Sequence, residues 1–426
     1  MINKKNLLIF VLALLFLILT VKTVFLEEEE KRSGSVKADD SGATVEGIEV
    51  VEKANNEFAL KLYSKLAKDN EGENLFFSPY SISTALAMTY EGAESKTAEE
   101  IREVFGFPEE DDARRPAMAA LYNRLNPENP EYELKTANAL WIQDSFGILN
   151  DFTDTIERYY VGSAKNVDFE GDTEKSRETI NDWVAQKTND IINELFPEGS
   201  ITPLTRLVLT NAIYFKGDWV MEFDEDLTED SPFRVNDTTT VDVPMMRSIE
   251  RKYGYYEDDS VQILELGYKG DRLSMLVILP EDEDLASLEE TISLEKVSEW
   301  REGIVERDLN IYLPKFKLDT KYDLKKQLDS LGMPLAFTPP SQNGADFSGI
   351  TGKRDLFVGA IVHDAFISVD EVGTEAAAAT GVEMRLEMAM EGPPVFRADR
   401  PFLFLIQEKE SGNILFLGRV INPSQN

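Results

Sequence analysis

Residues 371–392 read EVGTEAAAATGVEMRLEMAMEG, between a strand-like run that ends at Val369 and the pair Pro393 and Pro394. Four consecutive alanines, 376–379, are odd in a surface loop. Sorted by parity, the even positions are Thr374, Ala376, Ala378, Thr380, Val382, Met384, Leu386 and Met388: small, then apolar. The odd positions are Glu375, Ala377, Ala379, Gly381, Glu383, Arg385 and Glu387: small, then charged. A period of two belongs to a strand, whose successive side chains point to opposite faces. Because the early inward positions are small, the segment could slide into a sheet without clashing with the side chains already there. It holds no proline before Pro393, so every residue keeps an N–H for a ladder. Read alone, the stretch accepts a helix equally well, since alanine is the strongest helix former. A permanent surface strand fits less well, because alanine is a poor strand former.

Working outward, strand patterns surround this segment. Residues 361–369 (IVHDAFISV) alternate, as do 309–316 (LNIYLPKF). Residues 207–215 (LVLTNAIYF) and 273–279 (LSMLVIL) are apolar almost throughout, as suits strands buried on both faces. Residues 134–142 (LKTANALWI) are strand-like, and 402–406 with 414–417 form a closing hairpin turning at Gly412 and Asn413. Helical spacing dominates the first part. Val51, Ala54, Phe58, Leu62 and Leu66 form one amphipathic face, 81–90 a buried helix, and 176–196 another helix closed by Pro197. Thr97 followed by Glu100 matches a capping box. No repeat or long linker divides the body, so 48–426 is expected to be one large α+β domain.

The chain has 426 residues, with 44 Lys and Arg, 79 Asp and Glu, one His and no Cys. Without cysteine there is no disulfide, thiolate metal site or Cys nucleophile. One histidine cannot build a His metal cluster, and a Ser-His-Asp triad would have to use His363. A net charge of −35 argues against nucleic acid as a partner. At the N-terminus, Lys4 and Lys5 precede an apolar run, 7–21, and Glu27 to Glu30 follow it. Cations before and acids after fit an N-in, C-out orientation. The run has the length of a signal-peptide core; extended to Leu26 it reaches the ~20 residues of a spanning anchor. Residues 1–26 are therefore read as a signal peptide or membrane anchor, with 7–26 as the tether in the second case. Residues 27–47 are read as a flexible acidic, Ser/Gly-containing spacer. Either way the body is expected to be exported, outside the cell or anchored to the outer face of its membrane.

The ordered motifs NLFFSPYSI (74–82), TNAIYFKGDW (210–219), LPKF (313–316), NGADFSGI (343–350), DEVGTEAAA (370–378), RPF (400–402) and FLGRVINP (416–423) resemble the serpin family over nearly the whole body. The resemblance implies a mixed central β-sheet able to accept an inserted strand, further sheets and about nine helices. It implies a monomeric, non-enzymatic trap for a target serine protease, which cuts the loop, is held as a covalent acyl complex and is distorted when the cut loop inserts. Neither cofactor nor metal is expected. The hinge would be Glu371, Gly373, Thr374, Glu375, Ala376, Ala377, Ala378 and Ala379. Glu371 would pair with Lys315 near Trp219 at the top of the sheet. Ser78, Ser81, Asn211 and His363 match the sheet-opening cluster; His363 also reads simply as a satisfied core histidine. The family's usual spacing from Glu371 puts the cut after Glu387, before Met388. Counting back from the prolines puts it at Met390, and Arg385 would suit a trypsin-like target. A Glu bait implies a Glu-specific protease; a Met bait implies a subtilisin-, chymotrypsin- or elastase-like one. The alternative is a non-inhibitory serpin-fold binding protein, or a plain protease substrate.

Overall fold

The computed structural model describes residues 36–127, 131–281, 285–374 and 393–425. Ten α-helices lie among them: α1 (Val45–Asp69), α2 (Pro79–Tyr90), α3 (Ser95–Phe105), α4 (Asp111–Leu125), α5 (Asn150–Tyr160), α6 (Thr173–Lys187), α7 (Leu285–Thr291), α8 (Leu294–Gly303), α9 (Lys325–Leu331) and α10 (Ser348–Thr351). The strands are β1 (Leu75–Phe77), β2 (Tyr132–Gln143), β3 (Ser163–Val167), β4 (Leu207–Asp218), β5 (Glu229–Asn236), β6 (Thr239–Glu257), β7 (Val261–Gly267), β8 (Leu273–Pro280), β9 (Val305–Pro314), β10 (Phe316–Asp323), β11 (Ala360–Val369), β12 (Gly373–Thr374), β13 (Val395–Arg397), β14 (Phe402–Glu408) and β15 (Ile414–Val420). One sheet of nine strands runs β1-β15-β14-β8-β7-β6-β9-β13, with β5 on β6. The other, of six strands, runs β10-β11-β12-β4-β2-β3, and β11 also pairs directly with β4. This is the α+β arrangement the strand and helix patterns imply.

One apolar core joins both sheets, holding Leu209 and Ile213 of β4 with Leu276 and Ile278 of β8. Into it α2 is sunk, buried on every side from Pro79 to Thr89. The sequence builds that helix locally: Pro79 occupies its first turn, and Ser78 Oγ caps it by accepting from Ser81 N. A smaller core covers the outer face of the six-stranded sheet, where Trp141, Val208 and Ala212 meet Ile180 and Val184 of α6.

Several boundaries differ from the sequence reading, each for a visible reason. Helix α6 ends at Lys187, well short of 196. Asn189 and Asp190 adopt left-handed φ of 54° and 59°, which no helix continues through. The Thr97–Glu100 capping box does not form, because α3 starts earlier, after Glu94. Both side chains instead reach other elements: Thr97 Oγ1 accepts from Asp346 N at 3.0 Å and Glu100 Oε2 from Leu335 N at 2.9 Å. The run 309–316 is two strands in two sheets, divided at Lys315, whose N–H turns to Pro244 O at 2.9 Å. The packed body also begins before residue 48. Ala38 exchanges hydrogen bonds with Asn123 of α4, Asp39 pairs with Arg158 of α5, and Thr44 caps α1. Among the described residues no helix is long and apolar enough to cross a membrane; 7–26 lie outside them.

Candidate functional site: the seam of the six-stranded sheet

The six-stranded sheet has one irregular joint. Strands β11 and β4 run parallel and pair directly from Ala360 with Val208 to Phe366 with Tyr214. Beyond Phe366 they part, and β12 fills the gap. Thr374 lies opposite Val369 on one side and Gly217 on the other, and Gly373 lies opposite Asp218. β12 is antiparallel to both neighbours, so the chain after Val369 has turned back and wedged its first two residues into the seam.

The packing there leaves no spare room. A Cβ on Gly373 would come within 2.2 Å of Gly217 O, so only glycine fits between the strands. Thr374 is 0% exposed, and its hydroxyl shares a 2.8 Å hydrogen bond with Tyr268. The Tyr268 ring stacks on Trp219 at 4.6 Å and meets Phe215 edge-on at 4.9 Å. Trp219 fastens the turn before the wedge: its indole donates to Asp370 O at 3.0 Å and its backbone N–H to Val372 O at 2.8 Å.

Glu371 lies in that turn with its side chain inward and is 4% exposed. It accepts from Lys315 Nζ at 2.6 Å and from Thr228 Oγ1 at 2.7 Å. Burial opposes the charge on Glu371, but these donors outweigh it and hold the carboxyl below its ordinary value. The side chain of Lys315 is 38% exposed, so water reaches it once its partner is gone. Glu371→Ala is therefore expected to loosen the turn by about 1–3 kcal/mol, below the about 3–5 kcal/mol of a fully buried pair. The expected result is faster spontaneous entry of the loop on mild heating, followed by gel mobility and by Trp219 fluorescence. Conversion at the parent rate would count against a restraining role.

Lower in the seam a polar row crosses the sheet. Tyr322 of β10, His363 of β11, Asn211 of β4 and Asn138 of β2 stand side by side in register. His363 Nε2 accepts from Ser78 N at 3.0 Å, so its other nitrogen, Nδ1, carries the proton and donates to Asn211 Oδ1. Asn211 Nδ2 in turn donates to Ser81 Oγ at 2.7 Å and Asn138 Oδ1 at 2.6 Å. Ser78 Oγ donates to Leu415 O at 2.6 Å, tying the row to the core hairpin. His363 is 0% exposed, and burial pulls its pKa from 6.5 to about 3. It is a neutral crosslink between β11 and β4, with both nitrogens occupied.

Thus the described part of the hinge and the Lys315–Trp219 corner come together, as do Ser78, Ser81, Asn211 and His363. Glu375, Ala376, Ala377, Ala378, Ala379, Arg385, Glu387, Met388 and Met390 lie outside the described residues. Three participants were missed: Asn138, Tyr268 and Thr228. Asn138 carried a usable signal, a single amide inside the apolar run 137–142; the other two carried none.

The serpin (serine protease inhibitor) family model matches residues 53–423. The chain belongs to the serpin family. An uncharacterised serpin-like protein of Methanosarcina acetivorans is 42% identical to this serpin, over 87% of this chain and 85% of the relative. The human leukocyte elastase inhibitor is 39% identical, over 88% of this chain and 100% of its own. Human thyroxine-binding globulin complexed with its ligand has a similar structure, with a TM-score of 0.80, 31% identity, and coverage of 89% of this chain and 100% of that one. Serpins are protease inhibitors and generally not enzymes, although the fold also serves in members that do not inhibit. This serpin thus has both inhibitors and a ligand-binding protein among its kin.

Proposed function

We propose that this serpin is a single-use inhibitor of serine proteases, acting by insertion of its cut loop between β11 and β4. Reactive-loop insertion is the established serpin example of strand addition to a sheet. The observation that carries the reading is the wedge of Gly373 and Thr374 already seated in the seam, antiparallel to both neighbours. Continued in that register, Ala376 would face Ile367 and Phe215, and Thr380 would come between His363 and Asn211. A threonine hydroxyl can accept from His363 Nδ1–H and donate to Asn211 Oδ1, so the crosslink that closes the seam would be replaced rather than lost. A weaker parallel ladder would give way to two antiparallel ones. The energy for disabling the protease would come from that gain, and the native protein would persist kinetically.

On this reading Glu371 and Lys315 restrain the hinge, Ser78, Ser81, Asn211 and His363 gate the seam, and the protease cuts at Glu387, Met388, Met390 or Arg385. Protease and inhibitor would be joined as an acyl complex, with the inhibitor monomeric. Residues 1–26 would export the body or tether it outside the cell.

The test mixes the protein with Glu-specific, subtilisin-, chymotrypsin-, elastase- and trypsin-like proteases on denaturing gels. A covalent band that survives SDS, with a cut form melting well above the intact one, is the expected result. The mass of the released C-terminal peptide assigns the cut bond. Cutting without a complex and without a rise in melting temperature would place the protein among the non-inhibitory members or plain substrates.

A further inference from the structure

The polar row has a direction, and a backbone group sets it. Ser78 N–H can only donate, and it donates to His363 Nε2 at 3.0 Å. Each later member is thereby fixed. His363 Nδ1–H donates to Asn211 Oδ1, and Asn211 Nδ2 donates to Asn138 Oδ1 at 2.6 Å. Ser81 Oγ donates to the same Oδ1 at 3.2 Å. The row therefore ends on a donor, Asn138 Nδ2, which has no partner among the described residues. Asn138 is 9% exposed, and it lines a largely enclosed cavity of about 50 Å3.

The cavity exists because β2 outruns its neighbour. β3 joins β2 only from Ala139, opposite Ser163, so residues 132–138 have β4 on one side and no strand on the other. α5 ends beside this gap at Val161, whose left-handed φ of 51° breaks the helix before β3 begins. Tyr80 of α2, Tyr122 of α4, Thr136 of β2 and Trp183 and Lys187 of α6 stand in the walls. The exposed edge is cationic, in a chain of net charge −35. Lys187 lies there, with Lys165 close by: their Nζ atoms are 5.9 and 5.3 Å from the Trp183 ring. Burial and the charge of Lys187 pull Lys165 below its ordinary value. Neither ammonium has a carboxylate partner among the described residues. The acid nearest the wall, Glu91, accepts from Tyr160 Oη at 2.6 Å and is already compensated by Arg114 at 3.0 Å and Arg115 at 2.6 Å.

We propose that this cavity binds a short carboxylate anion, held by Asn138 Nδ2 and the Thr136 hydroxyl at its inner end and by Lys187 at its edge. At about 10–15 Å3 for each water-sized group, the space takes three or four, which is acetate and not an aromatic acid. Water would satisfy the amide but leave the two ammonium groups repelling each other; an anion answers both. Binding would complete a run of hydrogen bonds from α2 through β11 and β4 to β2. The site itself does not depend on loop insertion.

The test titrates the intact protein with sodium acetate against sodium chloride at equal ionic strength. At about pH 7 acetate and both lysines are charged. Heat and the NMR signal of the Asn138 side-chain amide are followed together. Saturable binding is expected with half-saturation at about 1–10 mM, in keeping with so few heavy atoms. Asn138→Asp keeps the acceptor for Asn211 and Ser81 but sets a carboxylate oxygen where the donor was, and should weaken acetate about 100-fold or more. Lys187→Met should weaken it about tenfold. Lys135→Met, on the same strand but the opposite face, should bind like the parent. Should Asn138→Asp fold poorly, Thr136→Val is read in its place, with a loss of about tenfold. Benzoate should not displace acetate. An equal response to chloride, an Asn138 signal that acetate does not move, displacement by benzoate, or parent-like affinity in Lys187→Met and the cavity-end variant would each overturn the assignment. Loop cutting is no part of the measurement, so its failure leaves the inhibitor reading standing, and failure of that reading leaves this site.

Discussion

Thr374→Arg is expected to abolish the proposed inhibition and leave the protein a plain substrate. Thr374 is 0% exposed, with its hydroxyl on Tyr268 and its strand neighbours on both sides. An arginine there would bury a guanidinium among Tyr268, Phe215 and Trp219 with no carboxylate bonded to any of these rings. Taking such a charge out of water costs several kcal/mol after relaxation. The side chain therefore drives the wedge out of the seam and raises the barrier to strand entry. On the proposed mechanism, inhibition depends on entry outrunning deacylation of the protease, and each 1.4 kcal/mol on the barrier is about a factor of ten in rate. Loss of covalent complex by about 100-fold or more is expected, with the loop still cut. Thr374→Ser keeps the hydroxyl and should inhibit nearly as well as the parent. The measurement is the ratio of complex to cut inhibitor on denaturing gels with a protease that forms complex with the parent. Parent-like complex from Thr374→Arg would show that Thr374 does not lead the insertion.

Acid should weaken the seam through His363. The imidazole is buried and neutral, and its pKa falls from 6.5 to about 3. The folded value is the lower one, so the contribution is whole above the unfolded value of about 6.5 and is lost as pH falls toward the folded one. Between these limits the unfolded chain takes up a proton that the native seam refuses. The slope is about 1.4 kcal/mol per pH unit, and the total loss about 5 kcal/mol. A protonated ring could no longer accept from Ser78 N–H, so the crosslink between β11 and α2 opens first. His363→Gln offers an amide donor and acceptor without a proton to gain. Urea unfolding of the intact protein from pH 8 to 4 should show the parent losing stability steeply below pH 6.5 and the variant losing less. Parallel pH curves would mean that the histidine titrates without consequence for the fold.

Much of this was legible beforehand because it depends on short-range pattern. The buried strands 207–215 and 273–279 and the alternating 361–369 all declare themselves by local periodicity. Residues whose task is set by register did not. Asn138 matters because β2 places it beside Asn211, and Tyr268 because β12 delivers Thr374 to it. Thr97 and Glu100 looked like a cap because their spacing is right, yet the helix began before them and tertiary partners claimed both side chains. The apolar spacing of 176–196 was real but described two things, a helix to Lys187 and then connector residues packed on a sheet. Burial repeats every three or four residues in both, so only the left-handed Asn189 and Asp190 separate them.

The far side of the loop adds a last consequence. Val395–Arg397 pair with Asn310, Ile311 and Tyr312 of the nine-stranded sheet, while Gly373 and Thr374 are held in the six-stranded one. The loop is thus moored in two different sheets, and one uncut backbone bond keeps the moorings connected. Once that bond is broken and the strand seated, no thermal fluctuation restores the starting molecule, because resetting would require both extraction and ligation. On the proposed function, such a device would have no meaningful dissociation constant. Its capacity in solution would be a count of molecules, and dilution would not return the target.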